Sequence, residues 1–371
     1  MIGRRVMLVL VLVLLRAPVC AGAEPVAASA EPATPRAKPA GAERFPIGHW
    51  GFPAEEDRFR LFLADGFTMV IAVPEQMAAV RAAGLEALLA VAPEAAEPWR
   101  DDPAVRAWFV LDEPARKGIP YADVAAKVAA FHALDATRPA YVNLNELDDP
   151  REFIRVVRPR LLSYDYYQWW AGREPFLDLL AKYRAAAAEA GIPLWVWVEA
   201  GSVPNGPLPP DNLAKIRASV FAALAHGAHG IQWWGWRAEN RDVALVNAEL
   251  RGLGPILLGL ESVAVCRPGD AATPLPADHW IRGAAAGLVI GLFTAGDGRG
   301  HALVADVMLP AERAAAGTAA EIVTAADVPL ERFDATTGRW TPCPPSGGVV
   351  TVPPETGYLL LRPRPARAVA D

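Results

Sequence analysis

Between residues 45 and 259, short apolar runs alternate with longer amphipathic stretches. βα units produce this alternation, because a parallel strand covered on both faces reads as an unbroken apolar run while its covering helix shows one apolar stripe. The runs at 46–50, 68–73, 85–91, 107–111, 140–144, 161–166, 194–198 and 231–234 predict eight strands, and 55–64, 121–134, 175–190 and 212–225 predict helices between them. Gly66, Gly84, Gly191 and Gly227 stand where helix C-caps favour glycine. Eight such units in about 215 residues predict a (β/α)8 TIM barrel near its lower size limit. An open doubly wound sheet is the alternative, but the first βα turn lacks the Gly-rich fingerprint of a nucleotide site. From residue 260 the texture changes to short runs at 287–294, 302–307, 321–324, 349–352 and 358–361, separated by Gly, Pro and Asp. These predict a smaller all-β sandwich, with Gly296, Gly298 and Gly300 in a hairpin turn rather than a phosphate loop. The fold class read from the pattern is α/β, a barrel over 45–259 followed by a sandwich over 260–371.

The N-terminus departs from this pattern. Arg4 and Arg5 precede an apolar run over 6–15, and Ala21, Gly22 and Ala23 supply small residues for cleavage, which predicts a signal peptide over 1–23 and export to the periplasm or beyond the cell. Lipid attachment at Cys20 is the weaker alternative, since Ala17, Pro18 and Val19 match a lipobox poorly. Residues 24–44, rich in Ala and Pro without apolar periodicity, read as a disordered linker. With 53% hydrophobic and 21% charged residues, the rest of the chain can build real cores. The run over 6–15 is half the roughly 20 residues that cross a bilayer, so no transmembrane span is expected after signal removal.

A net charge of -6 leaves no basic stripe to neutralise phosphates, so nucleic acid is not an expected partner. Once the leader is removed, Cys266 and Cys343 remain, and a disulfide between them and two free buried thiols both stay open. Six scattered His with neither HxH nor HExxH argue against a metal hydrolase, and no cofactor is expected. His226 and His229 read as structural.

Candidate chemistry gathers at the C-terminal ends of the strands, where a barrel builds its active site. His49 and Trp50 follow the first strand; Asp112, Glu113 and Pro114 close the fourth; Asp165, Tyr166, Tyr167, Gln168, Trp169 and Trp170 close the sixth; Glu199 closes the seventh; Trp233, Trp234 and Trp236 close the eighth. Ten of the twelve Trp precede residue 240, which concentrates them in the barrel. Aromatic faces stack on the C–H faces of sugars, and paired carboxyl groups hydrolyse glycosidic bonds. The expected substrate is therefore a carbohydrate. Glu113 and Glu199 are the expected catalytic pair, with Asp112, Asp165, Tyr166, His49, Trp50, Trp234 and Trp236 as sugar contacts. The competing structural readings are plain: Asp112 and Glu113 can cap a helix or pair with Arg116 and Lys117, and Asn143, Asn145 and Glu146 have the composition of an ordinary loop. Trp195, Trp197 and Glu199 share one strand face, so two indoles must fit a small interior if Glu199 is to face the mouth.

The run Trp108, Phe109, Val110, Leu111, Asp112, Glu113, Pro114 resembles the fourth-strand acid/base motif of clan A (β/α)8 glycoside hydrolases, in which Asn, Glu and Pro close that strand. The resemblance implies Glu113 as acid/base and Glu199, at the end of the seventh strand, as nucleophile of a retaining reaction. The DEP at 112–114, SYDYY at 163–167, IPLWVWVEA at 192–200 and ALAHGAHGIQWWGW at 223–236 are similar to poorly characterised bacterial secreted barrel proteins of the same superfamily. Residues 334–338 and 349–361 resemble the closing strands of the sandwich that follows many glycosidase barrels. Two departures matter. Asp112 replaces the family's Asn and can accept but not donate a hydrogen bond, and the closer set often carries Gln at the place of Glu199. If Glu199 is not the second carboxylate, Asp165 is, and inversion becomes the expectation. The expected function is an exported glycoside hydrolase; a carbohydrate-binding protein on a degenerate barrel is the alternative.

Overall fold

Eight parallel strands form the first sheet: β1 (Ile47–His49), β2 (Met69–Ala72), β3 (Glu86–Ala90), β4 (Val105–Asp112), β5 (Ala140–Leu144), β6 (Leu162–Asp165), β7 (Leu194–Glu199) and β8 (Ala228–Trp234). Their order is β1-β8-β7-β6-β5-β4-β3-β2. The computed structural model describes residues 44–50, 56–167, 172–201, 208–343 and 348–364. The expected signal peptide, the linker up to Glu43, and Gln168, Trp169 and Trp170 lie outside them. Helices α1 (Glu56–Ala64), α2 (Met77–Ala82), α3 (Tyr121–Leu134), α4 (Pro150–Val157), α5 (Arg173–Ala190), α6 (Asn212–Ala225) and α7 (Arg241–Leu257) alternate with the strands, except that two 3-10 turns join β3 to β4. Among the described residues no helix is long and apolar enough to cross a membrane.

The two ends of the strand order meet at Thr68. Its amide donates to the Ile47 carbonyl at 2.9 Å, while its hydroxyl accepts from the Ile47 amide at 2.8 Å and donates to the Phe45 carbonyl at 3.0 Å. One side chain thus satisfies the backbone groups at the seam, which would otherwise be buried without partners.

Strand alternation sorts side chains into two cores. Met69, Ile71, Leu88, Ala107, Tyr141, Leu161, Trp195 and Trp197 fill the barrel interior, whereas Val70, Leu89, Trp108, Val196, Val198 and Trp233 pack outward in the helix-facing core. Two glycines make room for the bulky inner residues. A Cβ on Gly230 would lie 2.7 Å from Trp195 Cδ1, and one on Gly48 would lie 1.8 Å from Gln232 Oε1. The interior therefore accepts both indoles, and Glu199 keeps their inward direction.

The C-terminal strands are β9 (Leu260–Cys266), β10 (Ile281–Ala284), β11 (Leu288–Ala295), β12 (Gly300–Asp306), β13 (Glu321–Thr324), β14 (Leu330–Asp334), β15 (Arg339–Pro342), β16 (Val349–Thr351) and β17 (Tyr358–Pro363), with α8 (Pro310–Ala316) between β12 and β13. They make a six-stranded antiparallel sheet, β15-β14-β17-β12-β11-β9, and a three-stranded one, β10-β13-β16. Ile281, Leu288, Ile290, Val304, Ile322 and Leu361 form the core that joins the two sheets. Val289, Phe293, Leu303, Ala305 and Leu360 pack instead with the barrel's outer core. The larger sheet is thus covered on both faces, which accounts for the continuous apolar runs of β11 and β12. Cys266 and Cys343 are both free thiols, so the disulfide alternative is not realised.

Candidate active site

Strand β4 is irregular against both of its neighbours, and the irregularity against β5 sets the site. Phe109 pairs with Tyr141, but Leu111 pairs with Val142 and Asp112 with Asn143, so one extra residue is accommodated in β4. The slip reverses side-chain parity: Asp112, not Leu111, joins Tyr141 and Asn143 on the inner face. Asn143 Nδ2 donates to Asp112 Oδ1 at 3.2 Å, and Lys117 Nζ pairs with Asp112 Oδ2 at 3.1 Å.

Glu113 follows with a positive φ of 49°. A non-glycine residue held there costs about 1–3 kcal/mol, and the backbone must be pinned to keep it. Its amide does so by donating to the Asn143 carbonyl at 2.8 Å. Arg116 Nε lies 3.2 Å from Glu113 Oε1, and Arg116 Nη2 lies 2.7 Å from Glu146 Oε1. Burial raises the Glu113 pKa and the neighbouring Asp112 charge adds to this, while the nearby Asn145 amide, Arg116 and Lys117 oppose it.

Asp165 ends β6, opposite Trp197 in the ladder. Burial first, then the charges of Glu113 and Asp112, push its pKa up to about 8, against a hydrogen bond from the Tyr167 hydroxyl. Its Oδ1 is buried and has no hydrogen-bond partner among the described residues. Asp112, Glu113 and Asp165 therefore form one electrostatically coupled group.

Aromatic rings border this group. Trp50 packs edge-on against Trp197 at 5.4 Å and Phe109 at 6.0 Å. Trp234 stacks on Tyr167 at 5.0 Å between centroids. Trp50, Phe109, Tyr167 and Trp234 are all partly buried against the interior core, a position that leaves part of each ring for a ligand.

Other expected contacts are placed elsewhere. His49 shares the outward parity of Ile47, and its ring sits among Phe62 at 4.8 Å, Trp236 at 5.4 Å and Phe67 at 5.9 Å. Trp236 Nε1 donates to Asp65 Oδ2 at 3.2 Å and belongs to the outer core. Strand parity and the Asp65 bond turn His49 and Trp236, both expected to contact sugar, toward the helices. Tyr166 packs partly against the outer core and lies near Glu146, one residue out of phase with Asp165. Glu199 points inward but is only 1% exposed, whereas the side chains of Asp112 and Glu113 are 20% and 19% exposed. Sequence reasoning left Tyr167, Arg116 and Lys117 outside the site. The i, i+3 spacing of Glu113 and Arg116 and the shared parity of Asp165 and Tyr167 were the signals available. Among the described residues no group of three or more His, Cys, Asp or Glu is placed to hold a metal.

No protein-family model matches the chain, and no curated protein does. Solved structures do resemble it. An Anoxybacillus alpha-amylase is 8% identical with a TM-score of 0.51, covering 84% of this chain and 90% of that one. A β-L-arabinopyranosidase from Geobacillus stearothermophilus is 10% identical with a TM-score of 0.53, covering 89% of this chain and 98% of that one. At such identities the likeness is one of fold alone.

Proposed function

We propose that the chain is an exported glycoside hydrolase, acting on an oligo- or polysaccharide with Glu113 and Asp165 as its carboxyl pair. The observation that carries this reading is the coupling of the two groups beside partly open aromatic rings. Hydrolysis of a glycoside needs one carboxyl group that still holds a proton and one that has lost it. Asp165, with a pKa of about 8, holds its proton at neutral pH and serves as general acid. Glu113, 3.2 Å from the Arg116 guanidinium, serves as the charged partner. Trp50, Tyr167 and Trp234 offer faces for sugar rings. Glu199, closed off from solvent, is better suited to fixing the site's charge than to touching the anomeric carbon. The proposal of export rests on the leader sequence alone.

Neutral isosteres test this. Glu113→Gln and Asp165→Asn should each lower turnover of an aryl glycoside by at least about 100-fold, as loss of general acid–base catalysis does, while oligosaccharide binding measured by calorimetry persists. Full activity in either variant sinks the assignment of that residue. The anomer formed first, followed by proton NMR, separates the pairs: inversion is expected with Asp165, retention if Glu199 is the second group. The ion pairs that occupy Arg116 and Lys117 favour one other reading, a sugar-binding barrel without turnover. Ligand binding with no hydrolysis of any glycoside would support it.

A further inference from the structure

A chain of hydrogen bonds crosses the barrel interior beneath the site. Trp197 Nε1 donates to Tyr141 Oη at 2.6 Å, Tyr141 Oη and Ser163 Oγ are 2.8 Å apart, Ser163 Oγ donates to Asn143 Oδ1 at 3.2 Å, and Asn143 Nδ2 donates to Asp112 Oδ1 at 3.2 Å. It runs from β7 through β5 and β6 to β4, and every member before Asp112 is buried.

Its direction is forced. An indole N–H only donates, so Tyr141 accepts from Trp197 and keeps its own proton for Ser163. Ser163, accepting from Tyr141, spends its single proton on Asn143 Oδ1. That bond turns the Asn143 amide so that its NH2 faces Asp112. A reversed chain would put two protons between Trp197 and Tyr141 or leave the Tyr141 hydroxyl proton without an acceptor, and in a dry interior an unmade bond costs about 1–3 kcal/mol. At the far end Asp112 meets donors on both oxygens, Asn143 on one and Lys117 on the other.

We propose that Tyr141, Ser163 and Asn143 are positioning residues that fix Asp112 as a hydrogen-bond acceptor and thereby leave the proton of the carboxyl cluster to Asp165. The inference takes up the carboxyl cluster of the proposed active site and deepens its acid–base assignment. The groups facing the cluster are Glu113, Arg116 and Lys117 after β4, Glu146 after β5, Tyr167 after β6 and the inward Glu199 of β7. Of the two aspartates, Asp112 has a cation and an oriented amide, while Asp165 has a Tyr167 hydroxyl and one buried oxygen without a partner among the described residues. A proton shared among these groups rests where no donor already occupies the oxygen. The identity of the general acid is thus set by a tryptophan N–H on another strand.

The test is carboxyl NMR on the full chain with 13C-labelled aspartate, the Asp165 signal assigned through Asp165→Asn. In the native protein its midpoint is expected near 8. Ser163→Ala, which releases the Asn143 amide, should lower that midpoint by at least about one pH unit. Ser163→Thr, which keeps the hydroxyl, should restore it, and Tyr141→Phe should shift it in the same direction by less. An Asp165 midpoint unchanged in folded Ser163→Ala and Tyr141→Phe overturns the proposal. Where a glycoside is turned over, the alkaline limb of kcat should move with the midpoint while KM stays near its native value. Absence of all turnover would remove the glycosidase reading and leave the NMR midpoint to decide the relay.

Discussion

Asp165 and His49 are both half-buried ionisable groups near the barrel mouth, and they pull stability in opposite directions with pH. Asp165 has a folded pKa of about 8 against an ordinary 3.8, so between those values the folded chain holds a proton that the unfolded chain has released. Its contribution is complete below 3.8 and is lost as pH rises through about 8. His49, caged by aromatic rings, is lowered to about 3 from 6.5 by burial and then by Arg58. Its contribution is complete above 6.5 and is lost as pH falls through about 3. Asp165→Asn should therefore flatten the decline of the urea midpoint on the alkaline side, and His49→Phe should flatten the decline on the acid side. A midpoint in either variant that tracks the native profile over its window would show that the group does not titrate as assigned. The sequence made the chemistry of Asp112, Glu113 and Asp165 visible through residue type and place after a strand. It could not reveal that His49 and Trp236 face the helices, because parity near a strand end depends on where pairing stops. Nor could it reveal the extra residue in β4, which reverses the direction of Asp112 without altering its apolar run.

The strands were legible because most are apolar on both faces, a pattern that survives small errors in their limits. All eight barrel strands and helices at 56–64, 121–134, 173–190 and 212–225 stand where the pattern predicted them. What the pattern did not carry is how the sheet closes. β1 is only three residues long and meets β2 through Thr68, a polar residue at the start of an apolar run that reads in sequence as an ordinary strand flank. Thr68→Val keeps the shape but removes the hydroxyl, leaving the Ile47 amide and the Phe45 carbonyl each without that partner. A loss of about 1–3 kcal/mol per unmet buried group is expected, read as a lower denaturation midpoint. The same variant should raise hydrogen exchange at the Ile47 amide before that of β7, since β7 is paired on both sides. Uniform exchange across the two strands would mean that Thr68 does not hold the seam. Gly48 and Gly230 work by what they lack: the space each leaves is filled by Gln232 and Trp195, and such exchange of volume between neighbouring strands leaves no trace in a single run.

Residues 42–371 form one compact unit, and the reason lies in what the C-terminal sheet covers. Phe221 of α6 stacks on Tyr358 of β17 at 3.8 Å, and β11 approaches α6 so closely that a Cβ on Gly291 would lie 2.0 Å from the Ala225 carbonyl oxygen. A second close approach brings Gly252 of α7 against Ala335, where a Cβ would again lie 2.0 Å from a carbonyl oxygen. Both obstacles are backbone atoms, which cannot swing aside as a side chain can. Gly291→Ala must therefore move the sheet away from α6 and open the contact among Val289, Phe293, Leu303 and the barrel's outer core. Overpacking of this kind costs about 1–3 kcal/mol or more, whereas Gly296→Ala in the β11–β12 turn meets open space and should stay within about 0.5 kcal/mol of the native protein. The same contact bears on the boundary at residue 259 drawn from the sequence. A chain ending there would expose an α6 in which ten residues are buried, from Asn212 to Ala225, and should aggregate or unfold rather than yield a working barrel. A monomeric, cooperatively melting product from residues 42–259 would show instead that the sandwich is an accessory and that the seam at Gly291 adds little to the barrel's own stability.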